Sequence, residues 1–157
     1  MQKDEIPTPK ATEKMTSRKF RILLVATLAV LSVQGWLGDV VNLFVAPTTA
    51  QTPPPQNPSG FFQGVASLNS VPLSWHAFEG IFLFLLAITV LALSFKWSKS
   101  RAVRIAAILG LVFVFSAALG GYLFVLSGYG AGGNSAQMGG SFIGAYALYF
   151  VALYYAK

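Results

Sequence analysis

The sequence predicts an all-α integral membrane protein, a bundle of four transmembrane helices with its N- and C-termini in the cytoplasm. Of the 157 residues, 55% are hydrophobic and only 10% are charged, and the mean hydropathy is +0.62. Soluble domains have about 25% charged residues, so this chain has too few charges to cover a hydrated surface. The apolar residues form four nearly uncharged blocks, and about 20 helical residues cross the hydrocarbon core of a bilayer.

The basic residues predict the topology of these four spans. They precede the first block, lie between the second and third blocks, or end the chain: Lys3, Lys10, Lys14, Arg18, Lys19, Arg21, Lys96, Lys99, Arg101, Arg104 and Lys157. All of them therefore fall on one side, which the positive-inside rule makes cytoplasmic in a multi-pass protein of the cell membrane. The net charge of +6 is thus interpreted as a topology signal and not as a nucleic-acid-binding surface. The sequence has no cysteine, which excludes disulfides and thiolate metal sites.

The first elements are a polar tail and a long helix. Residues 1–19 are polar, with Pro7 and Pro9, and are predicted to be a cytoplasmic tail. The first helix is expected over about 20–46, ended by Pro47. A cleaved signal peptide would also begin with basic residues, but its apolar core is about 7–15 residues long. The longer apolar stretch here favours an uncleaved anchor.

The second helix follows a proline-rich outer loop over 47–70. Residues 53–55 and 58 are prolines among polar residues, which is typical of an extended segment. Phe61, Phe62 and Val65 are expected to fold part of it back onto the membrane surface. Ser70 is the predicted N-cap of a helix over about 71–95, with Pro72 in its first turn, where proline is tolerated.

The third and fourth helices are predicted over about 102–126 and 136–156. A short connection makes the second and third helices antiparallel neighbours, and residues 128–135 form a glycine-rich outer turn. Small residues recur every four positions: Ala106 and Gly110, Ala117 and Gly121, and Ala136, Gly140 and Gly144. This spacing indicates close helix packing and is one route to a homo-oligomer.

Polar residues collect in the outer halves of all four spans. Counting outward from the basic boundaries places them at similar depth; they are Gln34, Asp39, Asn42, His76, Glu79, Tyr122, Ser127, Gln137 and Met138. Ionisable residues inside a membrane are costly and are candidates for function. The alternative is that these residues are structural, with His76 hydrogen-bonded between helices or to lipid headgroups.

The most specific combination is His76 with Glu79 and Gly80. His76 and Glu79 are three apart, so they are expected on one helix face. A proton or quinol site would use His76 as acid and base with Glu79, Asp39 or Gln34 as partners. A haem b site would use His76 as an iron ligand, with Gly80 leaving room for the porphyrin and Met138 as the second ligand. One histidine and no cysteine make any other metal site the weakest interpretation.

The motif Gln34…Gly38-Asp39 in the first helix with His76-x-x-x-Gly80 in the second resembles the haem A synthase half-repeat and cytochrome b-like four-helix bundles. That resemblance implies a small membrane component working beside a respiratory or other redox complex. The family pattern places a second histidine on the fourth helix, where this sequence has Gln137 and Met138.

The expected function is that of an accessory subunit of a larger membrane complex, redox or respiratory, without independent catalytic activity. Its expected partners are the lipid bilayer and other membrane subunits, and it would contribute an outer-side haem or quinol pocket. Two alternatives stay open: a proton-coupled transporter that uses Glu79, and a stand-alone b-type haem protein.

Overall fold

The computed structural model describes residues 9–45, 62, 65, 70–126 and 132–156. This part of the chain contains four α-helices and no strand, which confirms the all-α prediction. The helices are α1 (Pro9–Val40, continued by a π-helical turn Val41–Val45), α2 (Val71–Trp97), α3 (Arg101–Leu126) and α4 (Gly132–Tyr155). Each contains a stretch long and apolar enough to cross a membrane, so the protein is a four-helix membrane bundle.

Helix α1 begins at Pro9, well before the predicted start near residue 20. The apolar stretch itself begins at Ser17, so the additional turns precede the membrane-spanning part. Residues 10–15 are mostly good helix formers (Lys, Ala, Glu and Met), and proline fits the first turn. The polar segment therefore continues the helix at its N-terminal side.

Helix α2 begins as predicted. The Ser70 hydroxyl accepts a hydrogen bond from the backbone N–H of Leu73 at 3.4 Å, and Pro72 lies in the first turn. At the other end, the Arg104 guanidinium donates to the Ser98 carbonyl at 2.8 Å and lies over the Phe95 ring. The three-residue connection to α3 is thereby held in place.

Helix α4 begins at Gly132, earlier than the predicted residue 136, so residues 132–135 of the expected outer turn are helical. The glycines suggested a break, but this first turn packs on other helices. The carbonyl of Asn134 lies 3.2 Å from the Cβ position of Gly120, and Ser135 donates to Asn42. Tertiary contact outweighs the weak helix propensity of glycine here.

Most of the predicted proline-rich loop lies outside the described residues. Of residues 47–70, Phe62, Val65 and Ser70 are described. Val65 is buried in a cluster with Val41, Leu73, Phe124 and Val125. Val65 therefore packs on the helices themselves, and the expected return of this segment to the membrane surface stays a prediction.

The four helices form a ring in which α1 and α3 each pack on α2 and α4. The N-terminal side of α1 and the C-terminal end of α2 meet where Phe20 and Trp97 make an edge-to-face ring contact at 6.5 Å. Phe20 and Ala156 both belong to the buried cluster that residues of all four helices form. We call the end where Phe20 meets Trp97 the basic end, since the basic residues of 18–21 and 96–104 lie there.

The contact between α3 and α4 is the most extensive in the bundle. A Cβ added to Gly110 would lie 2.8 Å from Cζ of Tyr149, and one on Gly144 would lie 2.7 Å from Phe113. Aromatic rings therefore fill the space that these glycines leave. Gly140, predicted to share this packing stripe, has nothing within 4 Å of its Cβ position and is exposed.

Large apolar side chains cover much of the bundle exterior, including Ile22, Phe78, Leu85, Val112, Phe115 and Phe150. Water would not support an apolar surface on every helix, whereas lipid does. The exterior is therefore consistent with a bilayer environment.

Candidate ligand cavity

A cavity of about 860 Å³ lies between the four helices, in the half of the bundle away from the basic end. Its walls come from α1 between residues 31 and 42, α2 between 73 and 84, α3 between 114 and 125, and α4 between 135 and 145. Phe62 and Val65 also line it. We call this half the cavity end.

The structure brings most of the predicted site residues to this cavity. Gln34 and Asp39 line it from α1, His76 and Gly80 from α2, and Met138 from α4, and Asn42 and Tyr122 contribute as well. Most of the other lining side chains are apolar. The residues predicted to lie at similar membrane depth therefore line one cavity. Ser127, which belonged to the same prediction, lies outside the described residues.

Glu79 does not line the cavity, although the spacing from His76 predicted one shared face. Three helical residues turn about 300°, which leaves Glu79 about 60° from His76. Gly80 and Ala77 lie on the other side of His76, and these line the cavity. The lining face of α2 is therefore turned away from Glu79, and the structure does not bring Glu79 into the group of His76, Asp39 and Gln34.

Two polar side chains cross between α1 and α2, each onto a glycine of the other helix. The Nε2 atom of Gln34 lies 3.2 Å from the Cβ position of Gly80 and donates to the backbone carbonyl of His76, also at 3.2 Å. The Cε1 atom of His76 lies 3.2 Å from the Cβ position of Gly38. Gln34 and Gly38 are four residues apart on α1, and His76 and Gly80 are four apart on α2. Because the two helices are antiparallel, Gln34 lies opposite Gly80 and Gly38 lies opposite His76.

Two buried polar atoms at this crossing have no hydrogen-bond partner among the described residues. They are Oε1 of Gln34 and Nδ1 of His76. Unsatisfied buried polar atoms are uncommon in native proteins, and each requires an explanation such as water or a ligand. Both residues line the cavity through other atoms of theirs, because Oε1 and Nδ1 themselves are buried in the contact between α1 and α2.

Several serines join the helices around the cavity, and the sequence reasoning did not identify them. Ser135 donates to Oδ1 of Asn42 at 3.2 Å, and Ser141 donates to the Ser116 hydroxyl at 3.0 Å. Gln137 donates to the Ser116 carbonyl at 3.3 Å from outside the cavity. Ser116 is the single polar residue in an apolar stretch, and this was the signal in the sequence for an interhelical hydrogen bond.

The expected haem ligands do not converge as the structure places them. His76 packs on Gly38 of α1, whereas Sδ of Met138 lies 3.2 Å from the Cβ position of Gly121 on α3. Helices α1 and α3 lie diagonally across the ring from each other. The imidazole therefore packs on one side of the bundle and the thioether on the opposite side. The space above Gly80, expected for a porphyrin edge, holds the Gln34 amide. These residues do not fit haem b in this arrangement.

Within the described residues, no group of three or more histidine, cysteine, aspartate or glutamate side chains is placed to bind a metal ion. Comparison of the chain with known family models, curated proteins and solved structures finds no match.

Proposed function

We propose that this protein is a membrane component that binds a ligand of the quinone class in the cavity between its four helices. The observation that supports the proposal is a mostly apolar cavity whose lining includes a few polar residues, among them Gln34, Asp39 and His76. A quinone or quinol has a flat, largely apolar ring with an oxygen at each end. Its ring would fill the apolar part of the cavity, and its oxygens would meet the polar side chains of the lining.

The size and position of the cavity also suit this class of ligand. Small-molecule sites have volumes of about 300–1,000 Å³ and combine apolar walls with a few polar groups. Ile81 and Ile143 line the cavity and are 46% and 67% exposed, so the cavity reaches the surface of the bundle. An apolar ligand dissolved in the bilayer would enter there without crossing water.

Binding of decylubiquinone and decylubiquinol to the protein in mild detergent tests the proposal. We expect saturable binding by equilibrium dialysis, weakened about tenfold or more in His76→Phe, which keeps a ring but removes both nitrogens. Glu79→Gln is the matched control because Glu79 lies on the same helix but outside the cavity. Absence of saturable binding of either form would refute the proposed function.

We further propose that the protein works as an accessory subunit of a redox complex in the cell membrane, with its basic end in the cytoplasm. The positive-inside rule supports this orientation, since every basic residue of 18–21 and 96–104 lies at one end. Extraction from the native membrane in mild detergent should yield the chain together with larger subunits. Recovery as an isolated monomer would contradict the subunit role while leaving ligand binding unaffected.

A further inference from the structure

We propose that the cavity also binds lipophilic organic cations, with Asp39 as the residue that recognises their positive charge. These cations are a second class of ligand, beyond the quinone-class function, and their binding does not depend on that function. The proposal concerns binding alone and involves no chemical step. Three features support it: an opening between α1 and α4, the charge distribution of the chain, and an aromatic ring beside Asp39.

Two contacts join α1 and α4 beside the cavity. Ser135 of α4 donates to Asn42, which follows α1, at 3.2 Å. The Phe142 ring of α4 lies 2.7 Å from the Cβ position of Gly35 on α1. The contacts are seven residues apart on each side, from 35 to 42 and from 135 to 142, which is about 10 Å along the helices.

The cavity opens to the exterior of the bundle between these two contacts. Asp39 lies in this interval on α1 and Gly139 lies in it on α4, and both residues are exposed and line the cavity. Nothing lies within 4 Å of the Cβ position of Gly139, so no side chain closes the gap. We call this the α1/α4 opening. A molecule that enters through it passes Asp39.

Asp39 lies far from the basic residues of the chain. The nearest lysine or arginine before it on α1 is Arg21, 18 residues away (39 − 21), which is about 27 Å of helix. Residues 41–95 and 105–156 contain neither lysine nor arginine. His76 lines the same cavity, but within the described part of the chain it forms no ion pair with Asp39. A carboxylate without a basic partner at the edge of a membrane cavity attracts a cation.

An aromatic ring lies beside Asp39 at the α1/α4 opening. Trp36 is three residues before Asp39, so the two share a face of α1. Trp36 is 64% exposed and lines the cavity. The face of an indole ring attracts a cation, and the apolar walls suit its organic substituents. A metal ion fits poorly, because the described residues contain no group of three or more acidic, histidine or cysteine ligands.

Tetraphenylphosphonium and tetraphenylborate test the proposal on the unmodified protein, since they are ions of nearly equal size and shape and opposite charge. Equilibrium dialysis in an uncharged detergent at low salt should give saturable binding of the phosphonium, with a Kd about tenfold or more below that of the borate. Equal affinities, tighter binding of the borate or no saturable binding of the phosphonium would overturn the inference. Dialysis of decylubiquinone and decylubiquinol decides the quinone-class function separately.

The variant Asp39→Asn assigns the recognition of charge to one residue, because it keeps the shape of the side chain. The Kd for tetraphenylphosphonium should rise about fivefold or more. Glu79→Gln is the matched control, since it removes an equal charge from the same half of the bundle but outside the cavity, and it should retain the wild-type Kd. Equal losses in the two variants would overturn the role of Asp39. If Asp39→Asn does not fold, the comparison of the two ions still decides the preference for cations.

Two tryptophans of equal exposure allow a matched test of the aromatic contact. Trp36 lines the cavity and Trp75 does not, although each is 64% exposed. Trp36→Leu should raise the Kd for tetraphenylphosphonium about two- to fivefold, because it removes the indole beside Asp39. Trp75→Leu should leave the Kd unchanged. Equal values for the two variants would overturn the role of the Trp36 ring.

Discussion

The Nε2 atom of Gln34 on α1 donates to the backbone carbonyl of His76 on α2 at 3.2 Å, and the imidazole of His76 packs in return on Gly38 of α1. One hydrogen bond and two glycine contacts thus join the helices at the cavity. The same residues bear the unpartnered atoms Oε1 and Nδ1. The two side chains that join the helices therefore also belong to residues that line the cavity.

Gln34→Leu should lower the stability of the bundle by about 0.5–1.5 kcal/mol, because it removes the interhelical bond to the His76 carbonyl. The measurement is the thermal midpoint of the purified protein in detergent. Ser32→Ala is the control, since Ser32 donates to the carbonyl of Leu28 on its own helix and the substitution removes no interhelical bond among the described residues. A loss no larger than that of the control would show that the bond contributes nothing to stability.

Gly110→Ala should destabilise the protein by about 1–3 kcal/mol, since the new Cβ would lie 2.8 Å from the fully buried Tyr149 ring. Gly140→Ala should be neutral or stabilise by up to about 1 kcal/mol, because nothing lies within 4 Å and alanine favours a helix. Thermal midpoints of the two variants check the difference. Equal effects would mean that both glycines pack alike.

Tyr149→Phe should raise the stability by about 1 kcal/mol. The Tyr149 hydroxyl is buried and has no partner among the described residues, and such a group costs more than a bare ring in the same place. Tyr154→Phe, at a residue that is 70% exposed, should change the stability by less than about 0.5 kcal/mol. Destabilisation by Tyr149→Phe would instead reveal a partner such as a buried water.

The absence of cysteine from the sequence allows the orientation to be tested with single substitutions. Arg101→Cys places a thiol on an exposed residue at the basic end, and Gly133→Cys places one on an exposed residue at the cavity end. In intact cells, a membrane-impermeant maleimide should label Gly133→Cys, and label Arg101→Cys only after permeabilisation. The reverse pattern would place the basic end outside.

Reduction of the purified protein by dithionite should produce no haem absorption bands. The reason is that His76 packs on Gly38 of α1 and Met138 packs on Gly121 of α3, on opposite sides of the bundle, so the two side chains do not converge on one iron. A difference spectrum of protein purified from haem-supplemented cells is the measurement. A b-type spectrum that disappears in Met138→Leu would restore the haem interpretation.

Much of the fold follows from the sequence because lipid imposes simple requirements on it. Uncharged blocks of sufficient length predict the four helices, and Ser70 with Pro72 predicts the start of α2. The starts of α1 and α4 were predicted too late. For α1, the prediction followed the apolar block and left out the helix-forming residues 10–15. For α4, local composition does not reveal that Ser135 bonds to Asn42.

The sequence alone determined the class of protein, the grouping of its basic residues and the depth of Gln34, Asp39, His76 and Met138, since all of these depend on position along a helix. Only the tertiary structure decided which side chains share a space. It placed Glu79 outside the cavity and the Gln34 amide against Gly80. It also packed Gly144 against Phe113 and left Gly140 exposed. These outcomes depend on how far each helix is rotated about its axis. Packing against neighbouring helices sets that rotation. In an almost uniformly apolar helix, the sequence pattern does not indicate which face points into the bundle.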